Sequence, residues 1–67
     1  MENIKLYWRD DNTVLGEVDS DTFELAKMYL KDGKSVLEAA LELIGRFGTA
    51  LAVRIALNAR KSNNRSD

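Results

Sequence analysis

Residues Ser35 to Lys61 constrain this chain more than any other stretch. The segment opens on a capping box, carries apolar side chains on nearly every side of a helix, and is interrupted only at Gly45-Arg46-Phe47-Gly48. A helix that is apolar all round has to be buried among other elements or against another chain. A 67-residue chain buries a smaller share of its surface than an average domain does. This segment must therefore supply the core, and the 45% hydrophobic content is more than one protomer is expected to hide. Self-association follows as the expectation.

Other ways of stabilising a small domain are closed. The chain has no cysteine for a disulfide, and with neither cysteine nor histidine it lacks the usual ligands of a structural zinc. Helix packing and oligomerisation remain. A cysteine-free chain fits a reducing compartment, and Met1-Glu2-Asn3-Ile4-Lys5 is followed by no long apolar run of a signal peptide, so a cytoplasmic protein is expected. Glu38, Glu42, Arg46 and Arg54 interrupt the apolar stretch too often for a lipid-spanning helix of about twenty residues.

The fold class that this pattern implies is α+β: an N-terminal two-stranded antiparallel β-hairpin followed by three α-helices, in one domain over residues 1–61. Ile4, Leu6 and Trp8 alternate with polar or outward residues at a strand's period of two. A three-residue loop Asp10-Asp11-Asn12 sets Arg9 opposite Thr13, and pairs Trp8 with Val14, Tyr7 with Leu15, Leu6 with Gly16, Lys5 with Glu17 and Ile4 with Val18. Ile4, Leu6, Trp8, Val14 and Val18 then share the inner face, leaving Tyr7 and Leu15 outside. A two-residue loop would mix Glu17 into the apolar face. The first helix is expected from Thr22 to Lys31, with Asp21 as N-cap, Glu24 completing a capping box, and Asp32-Gly33 as the stop. Phe23, Ala26 and Leu30 give it a face to lay on the hairpin.

Ser35 and Glu38 form a further capping box, opening a helix from Val36 to about Ile44 that Gly45 can end. A third helix is expected from Thr49 to Arg60 or Lys61, since two glycines within one continuous helix would each cost up to about 1 kcal/mol relative to alanine. The second and third helices are expected to pack on the hairpin and on each other. Residues 62–67 are polar and aperiodic and read as a disordered tail.

Catalysis has little to work with. No histidine can serve as base and no cysteine as nucleophile, no Ser-x-x-Lys occurs, and Gly45-x-x-Gly48 lacks the lysine and hydroxyl of a phosphate loop. A non-enzyme that needs no cofactor is expected. Asp10, Asp11, Glu17, Asp19 and Asp21 could in principle attract a hard cation, but they lack the spacing of a calcium loop, and turn, cap and cross-strand roles account for nearly all of them. No metal site is assigned.

Charge is unevenly spread. Residues 1–45 hold ten carboxylates against five cations, while residues 46–67 hold five cations against Asp67 alone. Such polarity can order subunits head to tail, although a basic last turn is also ordinary helix chemistry. In the last helix Arg54, Asn58, Lys61 and Arg65 fall on one stripe, and the Gly45–Gly48 step superficially resembles the turn of a helix-turn-helix, so nucleic acid is the alternative ligand. Against it, Thr49, Ala50, Leu51 and Ala52 offer a groove almost no hydrogen bonds. An amphipathic membrane contact fits less well, because the apolar side is dominated by alanine. Ala52, Ala56 and Ala59 instead form a smooth ridge expected to pack against a second copy. The resulting expectation is a small non-catalytic interaction protein, of adaptor, inhibitor or accessory type, working as a homo-oligomer. Tyr7, Arg9 and Leu15 are its partner-binding candidates.

Overall fold

The computed structural model describes residues 2–8 and 13–65, with the side chain of Arg65 outside that set. Elements follow in the order β1 (Asn3–Tyr7), β2 (Val14–Asp19), α1 (Ser20–Lys31), α2 (Val36–Phe47) and α3 (Thr49–Arg65). The architecture is α+β, an antiparallel two-stranded sheet followed by three helices.

At the base of the hairpin the register is the expected one, with Ile4 opposite Val18, Lys5 opposite Glu17 and Leu6 opposite Gly16. Leu6 and Val18 are buried, and Ile4 packs against them at the edge of the core. Nearer the tip the ladder slips: Tyr7 pairs with Val14 instead of Leu15, and Trp8 donates its N–H to the Thr13 carbonyl at 2.9 Å. Leu15 is thus the extra residue of a β-bulge, which bends and twists the strand. This corrects the expected inner face, because period-two alternation holds only in an unbroken ladder: Trp8 and Val14 end up exposed. The expected loop Asp10-Asp11-Asn12 and the Arg9–Thr13 pair lie outside the described residues.

β2 runs directly into α1, so the helix starts two residues earlier than expected. Its N-cap is Asp19 and not Asp21: Asp19 Oδ2 accepts from the Thr22 N–H at 3.0 Å, and the Thr22 hydroxyl donates to the same carboxylate at 2.8 Å. Glu24, freed from a capping box, lies 3.5 Å from Lys27 Nζ. The stop is as read. Gly33 takes φ 102°, the Lys34 N–H reaches the Tyr29 carbonyl and the Gly33 N–H that of Leu30, the paired bonds of a Schellman motif.

α2 begins with the full Ser35–Glu38 capping box, with bonds of 3.1 and 2.9 Å. It does not end at Gly45. The helix continues to Phe47, whose ring packs at the core edge one turn beyond buried Leu43, and the break falls at Gly48 alone. Gly48 has φ 77° and ψ 167°, a region that essentially only glycine occupies. α2 and α3 are therefore two helices joined through one residue, shorter than the three or four residues of a helix-turn-helix connection.

α3 is the central element: α2 and α1 both pack on it, and β1 rests against it. The hairpin lies chiefly on α1 and α3, where α2 and α3 were expected. The core comprises Leu6, Val18, Phe23, Ala26, Ala39, Ala40, Leu43, Ala52, Ile55, Ala56 and Ala59. α3 also runs past Lys61, so residues 62–65 are helical where an unstructured tail was expected. Asn63 ties that last turn to α1 by donating from Nδ2 to the Lys27 carbonyl at 3.2 Å.

Candidate interaction surface at the hairpin–α3 junction

Arg54 and Asn58 are one helical turn apart and project from α3 on the same side. The sequence reading offers that side to nucleic acid; in the fold Arg54 and Asn58 face β1. Asn58 Nδ2 donates to the Tyr7 carbonyl at 3.0 Å and to the Arg54 carbonyl at 2.8 Å, while its Oδ1 accepts from the Tyr7 N–H at 3.0 Å. The side-chain amide thus pairs with the strand as a neighbouring peptide would, closing part of an edge that a two-stranded sheet leaves open. Arg54 Nη1 donates to the Trp8 carbonyl, and the guanidinium lies over the Trp8 ring with Cζ 3.9 Å from the centroid. This is a close cation–π stack. Trp8 is fastened on one face and remains 44% exposed.

Two shallow grooves meet at this pair. The first, of about 450 Å³, is almost wholly apolar and is lined chiefly by Trp8, Leu15, Ala50, Leu51, Val53 and Arg54. Leu15, the extra residue of the bulge, lines it on the hairpin side. The second, of about 420 Å³, has Tyr7, Trp8, Arg54, Leu57, Arg60 and Lys61 along its wall and no carboxylate in its described lining.

Of the residues proposed from sequence, Tyr7 is half-buried and Leu15 exposed, both at this junction. Arg9 lies outside the described residues. Ala52, Ala56 and Ala59 are each 0% exposed and belong to the chain's own core, in one cluster with Ala39, Ala40 and Leu43 of α2. Their expected role as an oligomer interface is corrected: the small side chains that would admit a second copy already admit the neighbouring helices of the same chain. Asn58 is committed to the Tyr7 backbone and Arg54 to Trp8, so neither stands ready to read a base edge. Lys61 lies on the second groove, and the backbone of Arg65 closes α3.

Sequence reasoning placed Trp8 in the core and did not single out Leu37 and Leu41 of α2, which are 66% and 59% exposed. An outward role for these two was legible only as the excess of apolar positions around that helix.

The carboxylates serve local structure. Thr22, through its hydroxyl and then its amide, holds the Asp19 carboxyl below the usual range, and the Ser35 backbone N–H, followed by its hydroxyl, does the same for Glu38. Glu17, across from Lys5, accepts from Asn3 Nδ2 at 3.1 Å. Among the described residues no group of three or more acids is placed to hold a metal ion, and no helix is long and apolar enough to cross a membrane. In comparisons with known proteins, no family model, no curated protein and no solved structure matches this chain.

Proposed function

We propose that this chain is a small non-catalytic interaction protein, of adaptor, inhibitor or accessory type, which associates with itself and makes contact through the hairpin–α3 junction. The observation that carries this reading is the half-exposed Trp8, held by Arg54 beside an apolar groove. Tryptophan and arginine dominate binding energy at interfaces, each costing on the order of 2 kcal/mol or more when truncated at a well-packed centre. A side chain already immobilised also loses less entropy on binding. The absence of histidine and cysteine from the sequence supports a non-catalytic role, and a cysteine-free chain suits the cytoplasm.

Sedimentation velocity from low to high micromolar concentration tests the reading. Wild type should associate with rising concentration, and Trp8→Ala or Leu15→Glu should shift it toward monomer with its circular dichroism unchanged. A wild type that stays monomeric throughout would overturn it.

A second reading, binding of single-stranded nucleic acid, is favoured by the groove that combines Tyr7 and Trp8 with Arg54, Arg60 and Lys61. Bases would stack on the aromatic face and phosphates would meet the cations, without base-edge recognition. Trp8 is the sole tryptophan, so its fluorescence reports the event directly. Oligonucleotide should quench it more weakly as salt rises and on Arg60→Ala, whereas a salt-independent or absent response counts against the reading.

A further inference from the structure

We propose that the apolar groove at the hairpin–α3 junction is filled by the α2 ridge of a second copy, so that copies associate head to tail. The inference rests on the self-associating reading above and names the surface that enters the groove.

The ridge consists of Leu37 and Leu41, one helical turn apart and 66% and 59% exposed, so neither shelters in its own molecule. Glu38 and Glu42, each next in sequence to a leucine, are exposed beside them. One further turn along the same row stands Gly45. It lies inside a regular helix, a Cβ there would meet nothing within 4 Å, and its backbone angles are not ones that demand glycine. A mid-helix glycine costs up to about 1 kcal/mol relative to alanine, and nothing among the described residues asks for it. A neighbour approaching the α2 backbone closely would.

Charge decides which neighbour. Two ridges packed antiparallel against each other would bring Glu38 and Glu42 against the same residues of the other copy, and like charges in juxtaposition are unfavourable. The groove offers the opposite sign: its described lining contains one cation, Arg54, and no carboxylate, while Arg60 lies farther along α3 on the adjoining groove. The ridge lies in the acidic first 45 residues, and the α3 wall of the groove lies in the basic remainder. An acid-flanked leucine ridge and an apolar groove with Arg54 on its rim are complementary between molecules. Because the two patches differ, the contact is heterologous, and copies can add in series or close into a ring.

The test uses two full-length variants with substitutions at exposed positions. Leu15→Glu disables the groove and leaves the ridge; Leu37→Ser with Leu41→Ser disables the ridge and leaves the groove. Circular dichroism and thermal melting should match wild type for both. In sedimentation velocity each variant alone should be monomeric where wild type associates, its dissociation constant raised roughly tenfold or more. An equimolar mixture, holding one intact groove and one intact ridge per pair, should form a heterodimer and nothing larger. A mixture that stays monomeric while wild type associates would overturn the head-to-tail pairing. So would a ridge variant that associates like wild type while the groove variant does not; in that case the groove keeps its role and only its occupant changes. A wild type that never associates removes both readings.

Discussion

Asn58 joins two parts of the chain that are 51 residues apart. Its amide meets both the N–H and the carbonyl of Tyr7 and one carbonyl of its own helix, so all three bonds leave together when it is truncated. Unpartnered, half-buried backbone groups cost about 1–3 kcal/mol each when water cannot replace the lost partner. Asn58→Ala should lower stability by roughly that amount in urea unfolding, and amide exchange at Tyr7 should quicken; unchanged exchange would show that the amide is not the strand's partner. In the sequence, asparagine and arginine on one stripe suggest base reading. Arg54 and Asn58 of that stripe face the hairpin instead. Spacing along a helix establishes which residues share a side and says nothing about what that side meets.

The helix ends were read from interactions spanning three or four residues. Ser35 with Glu38 and the Gly33 stop are of this kind, and both are present as read. The start of α1 was displaced because two acids, Asp19 and Asp21, could each cap, and the end of β2 selected the first. The sequence reading ends α2 at Gly45, but that glycine is helical and the break falls at Gly48, so the two are opposite in structure. Gly45→Ala should stabilise the monomer by up to about 1 kcal/mol, since the added methyl meets open space. Gly48→Ala should destabilise it by about 1–3 kcal/mol, because alanine is strained at φ 77°. Thermal melts of the pair at a monomeric concentration decide the matter, and equal effects would contradict it. The caps also give a pH dependence. Asp19 and Glu38 both have depressed carboxyl pKa values in the fold, so they bind fewer protons folded than unfolded. Their contribution is present above the ordinary carboxylate range and disappears as pH falls through the lowered folded values. Stability should thus decline on acidification, and Asp19→Asn, which keeps a capping oxygen, should flatten part of that decline in melts recorded across pH.

At the level of the whole molecule, α3 is the helix around which the others are assembled, and its last turn contributes. Removing residues 62–67 deletes the Asn63 bond to the Lys27 carbonyl. A hydrogen bond of this kind contributes about 1 kcal/mol, so the melting temperature should drop by about 4–8 °C; an unchanged value would mean that the turn is not docked. Local pattern in the amino-acid sequence dictates the α+β order, the strand and helix count, the base of the hairpin register, the capping box of α2 and the Gly33 stop, because each depends on near neighbours or on simple periodicity. Only long-range packing settles that the alanine ridge faces the chain's own helices, that Trp8 lies exposed beyond the bulge, and that Arg54 and Asn58 grip the hairpin. Apolar surface and hydrogen-bonding groups carry no label for their partner. Which surface meets which is settled by the free energy of packing the whole chain, summed over contacts that lie far apart in sequence.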